Sequence, residues 1–273
     1  MVPMMTVVAC VITLLISLVL PIMILIGFSL KNRKQGIVSA WLLGAAGFFV
    51  TQILIRLPIL TALQNQSWFS AFAQNRLFLY TFALAFTAGL FELAGRFGVA
   101  KIMERNLTLK RSLAAGLGHG GIEAMLLVGM TYVNNLIYIL IINSGSFDAL
   151  TAQTAMLGVD VSQLELIRTQ LVDMSPVLFL LAGFERLLAM IGHTAMSALV
   201  CYGVAHKKLG ICVLLCLGIH TLMDLTTGIS LALPQNIAYP IIYGILIVMA
   251  AVSVVILRDI CRRWMELPKN PEE

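Results

Sequence analysis

The chain has 273 residues, of which 60% are hydrophobic and 11% are charged. A soluble domain carries about 25% charged residues, so this composition excludes a water-soluble globule and favours a polytopic membrane protein. The net charge of +5 does not indicate nucleic-acid binding, because the basic residues fall in short loops between apolar segments.

Seven apolar segments are long enough to cross a bilayer as helices, which requires about 20 residues each. Their approximate bounds are 4–30, 36–60, 75–97, 113–142, 176–203, 209–232 and 237–257. Lipid cannot satisfy exposed backbone groups, so the segments must be helical. The predicted fold is an all-α membrane helix bundle that forms a single integral membrane domain over 1–273. The tail, about 265–273, is expected to be disordered and cytoplasmic.

The loops predict an orientation. Basic residues follow the first, third, fifth and seventh segments, and the alternate loops carry few. The positive-inside rule therefore predicts an outer N-terminus and a cytoplasmic C-terminus. The connection 143–175 then lies outside. Its stretch VSQLELIRTQLVDM has apolar residues at helical spacing, which predicts a short helix on the membrane surface.

Acidic residues and histidines inside the apolar segments are confined to the third to sixth segments. They are four acidic residues and three histidines: Glu92, Glu123, Glu185, Asp224, His119, His193 and His220. A charge at membrane depth costs on the order of 3 kcal/mol, so random placement does not account for this concentration. The polar catalytic core is therefore expected at about 75–232.

Helical spacing places these side chains in pairs. The pairs are His119 and Glu123, His220 and Asp224, and Glu92 and Arg96 at i,i+4, with Glu185 and His193 at i,i+8. Residues at these spacings share a helix face, so four helices can present their polar faces to one interior. The simpler alternatives are an intrahelical Glu92–Arg96 ion pair and histidines that only hydrogen-bond a neighbouring helix.

Neutral histidines and carboxylates support two kinds of hydrolytic chemistry. They can bind a divalent metal such as zinc and leave a position open for water. Alternatively, a carboxylate acts as general base on a water while histidines hold it and stabilise the oxyanion. The sequence contains no HExxH, GxSxG or GxGD motif, so a standard zincin, serine hydrolase or presenilin-type site is not supported.

The ordered set FELAGR, GHGGIEA, FERLLAMIGHTAMS and HTLMD resembles the YhfC family of bacterial intramembrane proteases. That family is similar to the type II CAAX prenyl proteases, the bacteriocin-processing enzymes and the PrsW proteases. The resemblance covers about residues 91–224. It implies proteolysis in a bacterial cell membrane, acting on a membrane protein or membrane-associated peptide. Zn²⁺ or another divalent metal is a possible cofactor, and metal dependence stays open.

One departure from the related CAAX-type pattern concerns the general base. Those enzymes usually begin the motif with paired glutamates, whereas Phe91 precedes Glu92 here. The resemblance therefore leaves open whether Glu92 or Glu123 activates the water.

The first hypothesis is an intramembrane endopeptidase with Glu123 as general base and Glu92 as the second choice. His119, His193 and His220 would be metal ligands or would hold the water and oxyanion, and Glu185 belongs to the same candidate set. Asp224 would orient His220, and Arg96 would pair with Glu92. The alternatives are a proton- or cation-coupled transporter and a non-catalytic scaffold or immunity protein that keeps an enzyme fold.

Overall fold

The computed structural model describes residues 1–265, which contain helices and connecting loops and no strand. The last helix, Gln235–Met265, ends where the description ends. The tail predicted to be disordered, 265–273, therefore lies outside the described residues from position 266 onward.

Seven helical segments are long and apolar enough to cross a membrane, and we call them spans 1 to 7. In chain order they are Met4–Lys31, Ile37–Gln64, Leu77–Ile102, Leu109–Asn143, Pro176–Ala205, Leu209–Ala232 and Gln235–Trp264. The predicted all-α bundle of seven membrane helices is confirmed. Its boundaries shift by several residues, because span 4 begins four residues before the predicted apolar run and span 2 continues to Gln64.

Three spans contain a wide π-helical turn, at Leu15–Val19, Phe49–Arg56 and Ala124–Gly129. Proline accounts for the first two. Pro21 and Pro58 lack the N–H that would bond the carbonyl four residues earlier, and that carbonyl belongs in each case to the π-helical turn. The third turn contains no proline and begins directly after Glu123.

Span 6 is divided near its end. Its first helix ends at Asp224, Leu225 forms a turn, and a second helix runs over Thr226–Ala232. The connections carry the short helices Ser67–Asn75, Glu104–Asn106, Phe147–Met156 and Ser162–Asp173. The last of these confirms the helix predicted from VSQLELIRTQLVDM.

The chain divides into two compact units. Unit 1 comprises Met1–Met23 and Ala124–Leu187. The carbonyl of Phe179 joins its helices, because it accepts hydrogen bonds from Thr13 Oγ1 at 2.7 Å and Tyr132 Oη at 3.0 Å. The prediction of a single integral domain stays a prediction.

Unit 2 comprises Ile24–Glu123 and the chain from Leu188 onward. One hydrophobic core runs through it, formed by small and medium side chains such as Ala40, Ala114, Met196 and Cys216. At one end, His206 packs on Tyr202 and Trp264 with ring centroids 4.3 and 5.4 Å away. Burial and the nearby Lys208 lower the pKa of His206, so its ring acts as a neutral packing group.

Glycines let the helices of unit 2 approach closely. A Cβ on Gly118 would lie 2.0 Å from the carbonyl oxygen of Trp41, and one on Gly44 would lie 1.8 Å from that of Ala115. A Cβ on Gly116 would lie 2.6 Å from the Cα of Thr194. The GLGHGG stretch therefore packs the backbone of span 4 directly on spans 2 and 5.

We expect Gly118→Ala to destabilise the protein, because the opposing atom is a helix carbonyl that cannot move aside. The loss should be about 1–3 kcal/mol, as for other overpacked sites. Gly98→Ala is the matched control, since a Cβ there meets nothing within 4 Å. It should be neutral or stabilising by up to about 1 kcal/mol through helix propensity. Thermal unfolding in detergent measures both, and equal melting temperatures would contradict the packing.

Candidate functional site

The carboxylate of Glu92 lies at the centre of a buried polar cluster in unit 2. Its Oε2 atom is 2.9 Å from Arg96 Nη2, 2.9 Å from His119 Nε2 and 2.8 Å from His220 Nε2. The ring of His193 approaches the same oxygen, with Nδ1 at 3.5 Å. None of these five residues is more than 4% exposed.

Arg96 reaches Glu92 from the same helix, and each of the three histidines reaches it from a different one. Glu92 and Arg96 lie one turn apart on span 3, while His119, His193 and His220 come from spans 4, 5 and 6. The rings of His119 and His193 are stacked with centroids 5.4 Å apart. The predicted common interior of spans 3 to 6 is therefore present around Glu92.

The tautomer of His193 follows from Arg96. Arginine is always a donor, and its Nη2 lies 2.6 Å from His193 Nδ1, so Nδ1 is the acceptor. In a neutral ring the hydrogen is then on Nε2, which lies 2.7 Å from Glu123 Oε2. His193 therefore links the Glu92–Arg96 pair to the second carboxylate of the site.

His220 contacts two carboxylates. Its Nε2 is 2.8 Å from Glu92 and its Nδ1 is 3.5 Å from Asp224 Oδ2. Neither nitrogen has an aligned hydrogen-bond partner in the described part of the chain. The side chain of Asp224 is 40% exposed and marks the open edge of the cluster.

Three side chains of the cluster are suited to hold a metal ion. One donor atom from each of Glu92, His119 and His193 lies within 4.8 Å of the other two, and all three residues are buried. Two imidazoles and one carboxylate form a donor set used by catalytic zinc sites. His220 contacts the same carboxylate but lies outside this compact group of three.

The hydrogen bonds of the cluster set a condition on ion binding. His119 Nε2 bonds to Glu92 Oε2, and His193 Nδ1 accepts from Arg96. An ion bound through these two nitrogens replaces their present hydrogen bonds, and a ligating imidazole must be neutral with a free lone pair. The donor types fit a divalent cation.

Span 2 adds two residues that the sequence analysis did not assign to the site. Gln52 Nε2 donates to Glu92 Oε1 at 2.9 Å and to the carbonyl of Ala88 at 3.1 Å. Arg56 Nη1 donates to Gln52 Oε1 at 3.3 Å and Nη2 donates to the carbonyl of Leu84 at 2.7 Å. Since Arg56 cannot accept, it fixes the Gln52 amide with its nitrogen toward Glu92.

The wide turn Phe49–Arg56 carries both of these side chains. The sequence does contain a signal for these two residues. Gln52 and Arg56 are spaced i,i+4 inside an apolar run, where each polar group needs a partner.

Glu185 has a different position from the other predicted site residues. It belongs to unit 1, where its carboxylate contacts the guanidinium of its neighbour Arg186. The cluster around Glu92, including Glu123 and Asp224, belongs to unit 2. A catalytic role for Glu185 stays a prediction.

The Gln52–Glu92 hydrogen bond predicts a reversal experiment. Gln52→Glu should lower the free energy of unfolding by about 1.5–3 kcal/mol, because a second carboxylate replaces the donor to Glu92. Adding Glu92→Gln exchanges the two groups, so that an amide at position 92 can donate to the carboxylate at position 52. The double variant should therefore recover part of the lost stability.

Thermal unfolding in detergent measures the cycle, and Gln64→Glu at the exposed end of span 2 is the control. That change should stay within about 0.5 kcal/mol of the parent protein. If the stability losses of the two single variants simply add in the double variant, the hydrogen bond between these side chains is contradicted.

Comparison with known proteins identifies the family. The family model described as YhfC intramembrane metalloprotease matches residues 16–259. A Bacillus subtilis (strain 168) protein named "Uncharacterized membrane protein YhfC" is 30% identical over 195 residues, which cover 71% of this chain and 73% of the relative. No solved structure matches. The chain is therefore a multi-pass membrane protein that belongs to the YhfC intramembrane metalloprotease family.

Proposed function

We propose that the protein hydrolyses a peptide bond at membrane depth, with Glu123 as the general base that takes a proton from the attacking water. The observation that carries this proposal is the buried group of Glu92, His119 and His193 with Glu123 beside it. The family description as an intramembrane metalloprotease supports the same reaction class.

The contacts of the two carboxylates favour different roles. Glu92 accepts hydrogen bonds from Arg96, His119 and Gln52, so its lone pairs are largely committed within the cluster. Glu123 is more accessible, with 9% of its surface exposed against 4% for Glu92. Glu123 is therefore the better candidate to meet a water, and Glu92 the better candidate for a ligand or for holding the histidines.

His193 couples the two roles. With Nδ1 taken by Arg96, the hydrogen of a neutral ring is on Nε2, which lies 2.7 Å from Glu123 Oε2. This close contact supports the role of Glu123, because a general base must lie within hydrogen-bonding reach of the proton that it removes. Asp224, 3.5 Å from His220 Nδ1, would orient the His220 ring.

A divalent metal, with zinc the best match to the donors, would be held by Glu92, His119 and His193. Bound there, it would supply Lewis acidity that polarises the peptide carbonyl and increases the acidity of water. The protein's contribution is a buried, preorganised set of donors from three helices.

The substrate that this location favours is a membrane protein or membrane-associated peptide, because the cluster lies inside membrane-spanning helices. The basic loops after spans 1, 3, 5 and 7 further support an outer N-terminus and a cytoplasmic C-terminus. The relation of this family to the CAAX and PrsW proteases stays a prediction.

We expect Glu123→Gln to lower the cleavage rate of a single-span model substrate by about 10²–10⁴-fold, the usual contribution of a general base. The amide keeps the size of the side chain but cannot take up a proton. Thermal stability and metal content should stay at parent values, because the group of Glu92, His119 and His193 is intact.

Glu104→Gln is the matched control, since Glu104 pairs with Lys101 at an exposed position outside the site. It should leave cleavage unchanged. Parent-level cleavage by the Glu123 variant would remove Glu123 from the role of base. Loss of metal from the same variant would assign it to the ligand set instead.

A further inference from the structure

A small cavity lies beside Arg96. It leaves about 10 Å³ for the centre of a water-sized molecule. Its lining comprises Gly44, Arg96, Val99, Ala115, His119, Ser197 and Cys201. The cavity lies wholly within unit 2 and between spans 2, 3, 4 and 5.

Arg96 has more donors than the cluster uses. Its Nη2 serves both Glu92 Oε2 and His193 Nδ1, which accounts for the two hydrogens of that nitrogen. Its Nε and Nη1 are buried and have no hydrogen-bond partner among residues 1–265. Ser197 is 4% exposed, and its buried hydroxyl likewise has no hydrogen-bond partner among these residues. Buried donors on a charged group that stay unsatisfied are costly.

The size and lining of the cavity select its ligand. A volume of about 10–15 Å³ accommodates one water molecule, which needs two to four polar partners. Anions such as phosphate or a carboxylate are too large for this space. We propose that the cavity binds one ordered water, which accepts a hydrogen bond from Arg96 and is hydrogen-bonded to the Ser197 hydroxyl.

The position of Ser197 gives this water a role. Ser197 follows His193 by one helical turn, so both residues lie on the same face of span 5. His193 holds Arg96 directly, and Ser197 holds it through the water. Gly116 brings span 4 close to this point, since a Cβ there would lie 3.1 Å from that of Ser197.

Ser197 is therefore a positioning residue. It keeps the Arg96 guanidinium oriented so that Nη2 donates to Glu92. The water site stands on the structure alone, whereas its effect on cleavage rests on the proposed function.

A pair of nearly isosteric variants tests the water. Ser197→Asn extends an amide into the cavity, which displaces the water but supplies polar atoms to Arg96. Ser197→Leu has the same branched shape and displaces the water without a replacement. We expect the Leu variant to melt about 3–10 °C below the Asn variant, as follows from the loss of one or two buried hydrogen bonds.

Ser253 provides the matched control, because it is fully buried on span 7 and its hydroxyl bonds its own helix at the carbonyl of Met249. Asn at this position should melt no higher than Leu, because a buried amide without matching polar partners costs free energy. A crystal structure of the parent protein at about 2 Å resolution should show density within hydrogen-bonding distance of Arg96 and Ser197.

Equal melting temperatures of the two Ser197 variants, or a map without that density, would overturn the proposal. If both variants fail to fold, the electron-density map of the parent protein alone decides whether the water is present. These readouts need no activity, so they are independent of the proposed hydrolysis. For cleavage, the Leu variant should have a lower kcat than the Asn variant, with the same KM.

Discussion

The carboxylate of Glu92 is the constraint on which the rest of the site depends. An ionised carboxylate inside a membrane protein is stable only with charged and hydrogen-bonding partners around it. Arg96 provides the opposite charge, Gln52 provides a donor to the other oxygen, and imidazoles from three further helices complete the shell. Removing any partner leaves a buried charge less compensated, so the cluster also specifies how the helices pack.

Close helix packing is the condition for that shell. Imidazole and carboxylate side chains are short, so the backbones of spans 2, 4 and 5 must lie near one another for the rings to reach Glu92. Gly44, Gly116 and Gly118 permit that approach, because a methyl group at each would overlap backbone atoms of the neighbouring helix. The polar cluster and the glycines beside it are therefore two parts of one arrangement.

Much of this arrangement could be predicted from the sequence. Hydropathy locates the seven spans, since their length and apolarity are imposed by the bilayer. The i,i+4 spacing correctly predicts the Glu92–Arg96 pair. The polar helix faces, taken together, predict that His119, His193 and His220 meet in one interior. These inferences succeed because ionisable groups in lipid are costly and must face one another.

The remaining contacts depend on three-dimensional packing that periodicity does not encode. The wide turn in span 2 directs Gln52 and Arg56 toward span 3, and an uncharged glutamine gave little reason to expect it. Ser197 lines the small cavity beside Arg96. Helical spacing likewise could not decide which carboxylate is central, and the structure gives Glu92 that position while Glu123 contacts His193.

The proposed function requires that Glu92, His119 and His193 form a metal-binding hydrolytic centre. Metal analysis of the purified protein and its histidine variants tests it most directly, because His206 offers a control histidine outside the cluster. The parent protein and His206→Ala should each hold about one divalent ion per chain. His119→Ala and His193→Ala should lose it while remaining folded. Unchanged metal content in a folded His119→Ala variant, or full activity of metal-free parent protein, would contradict the account.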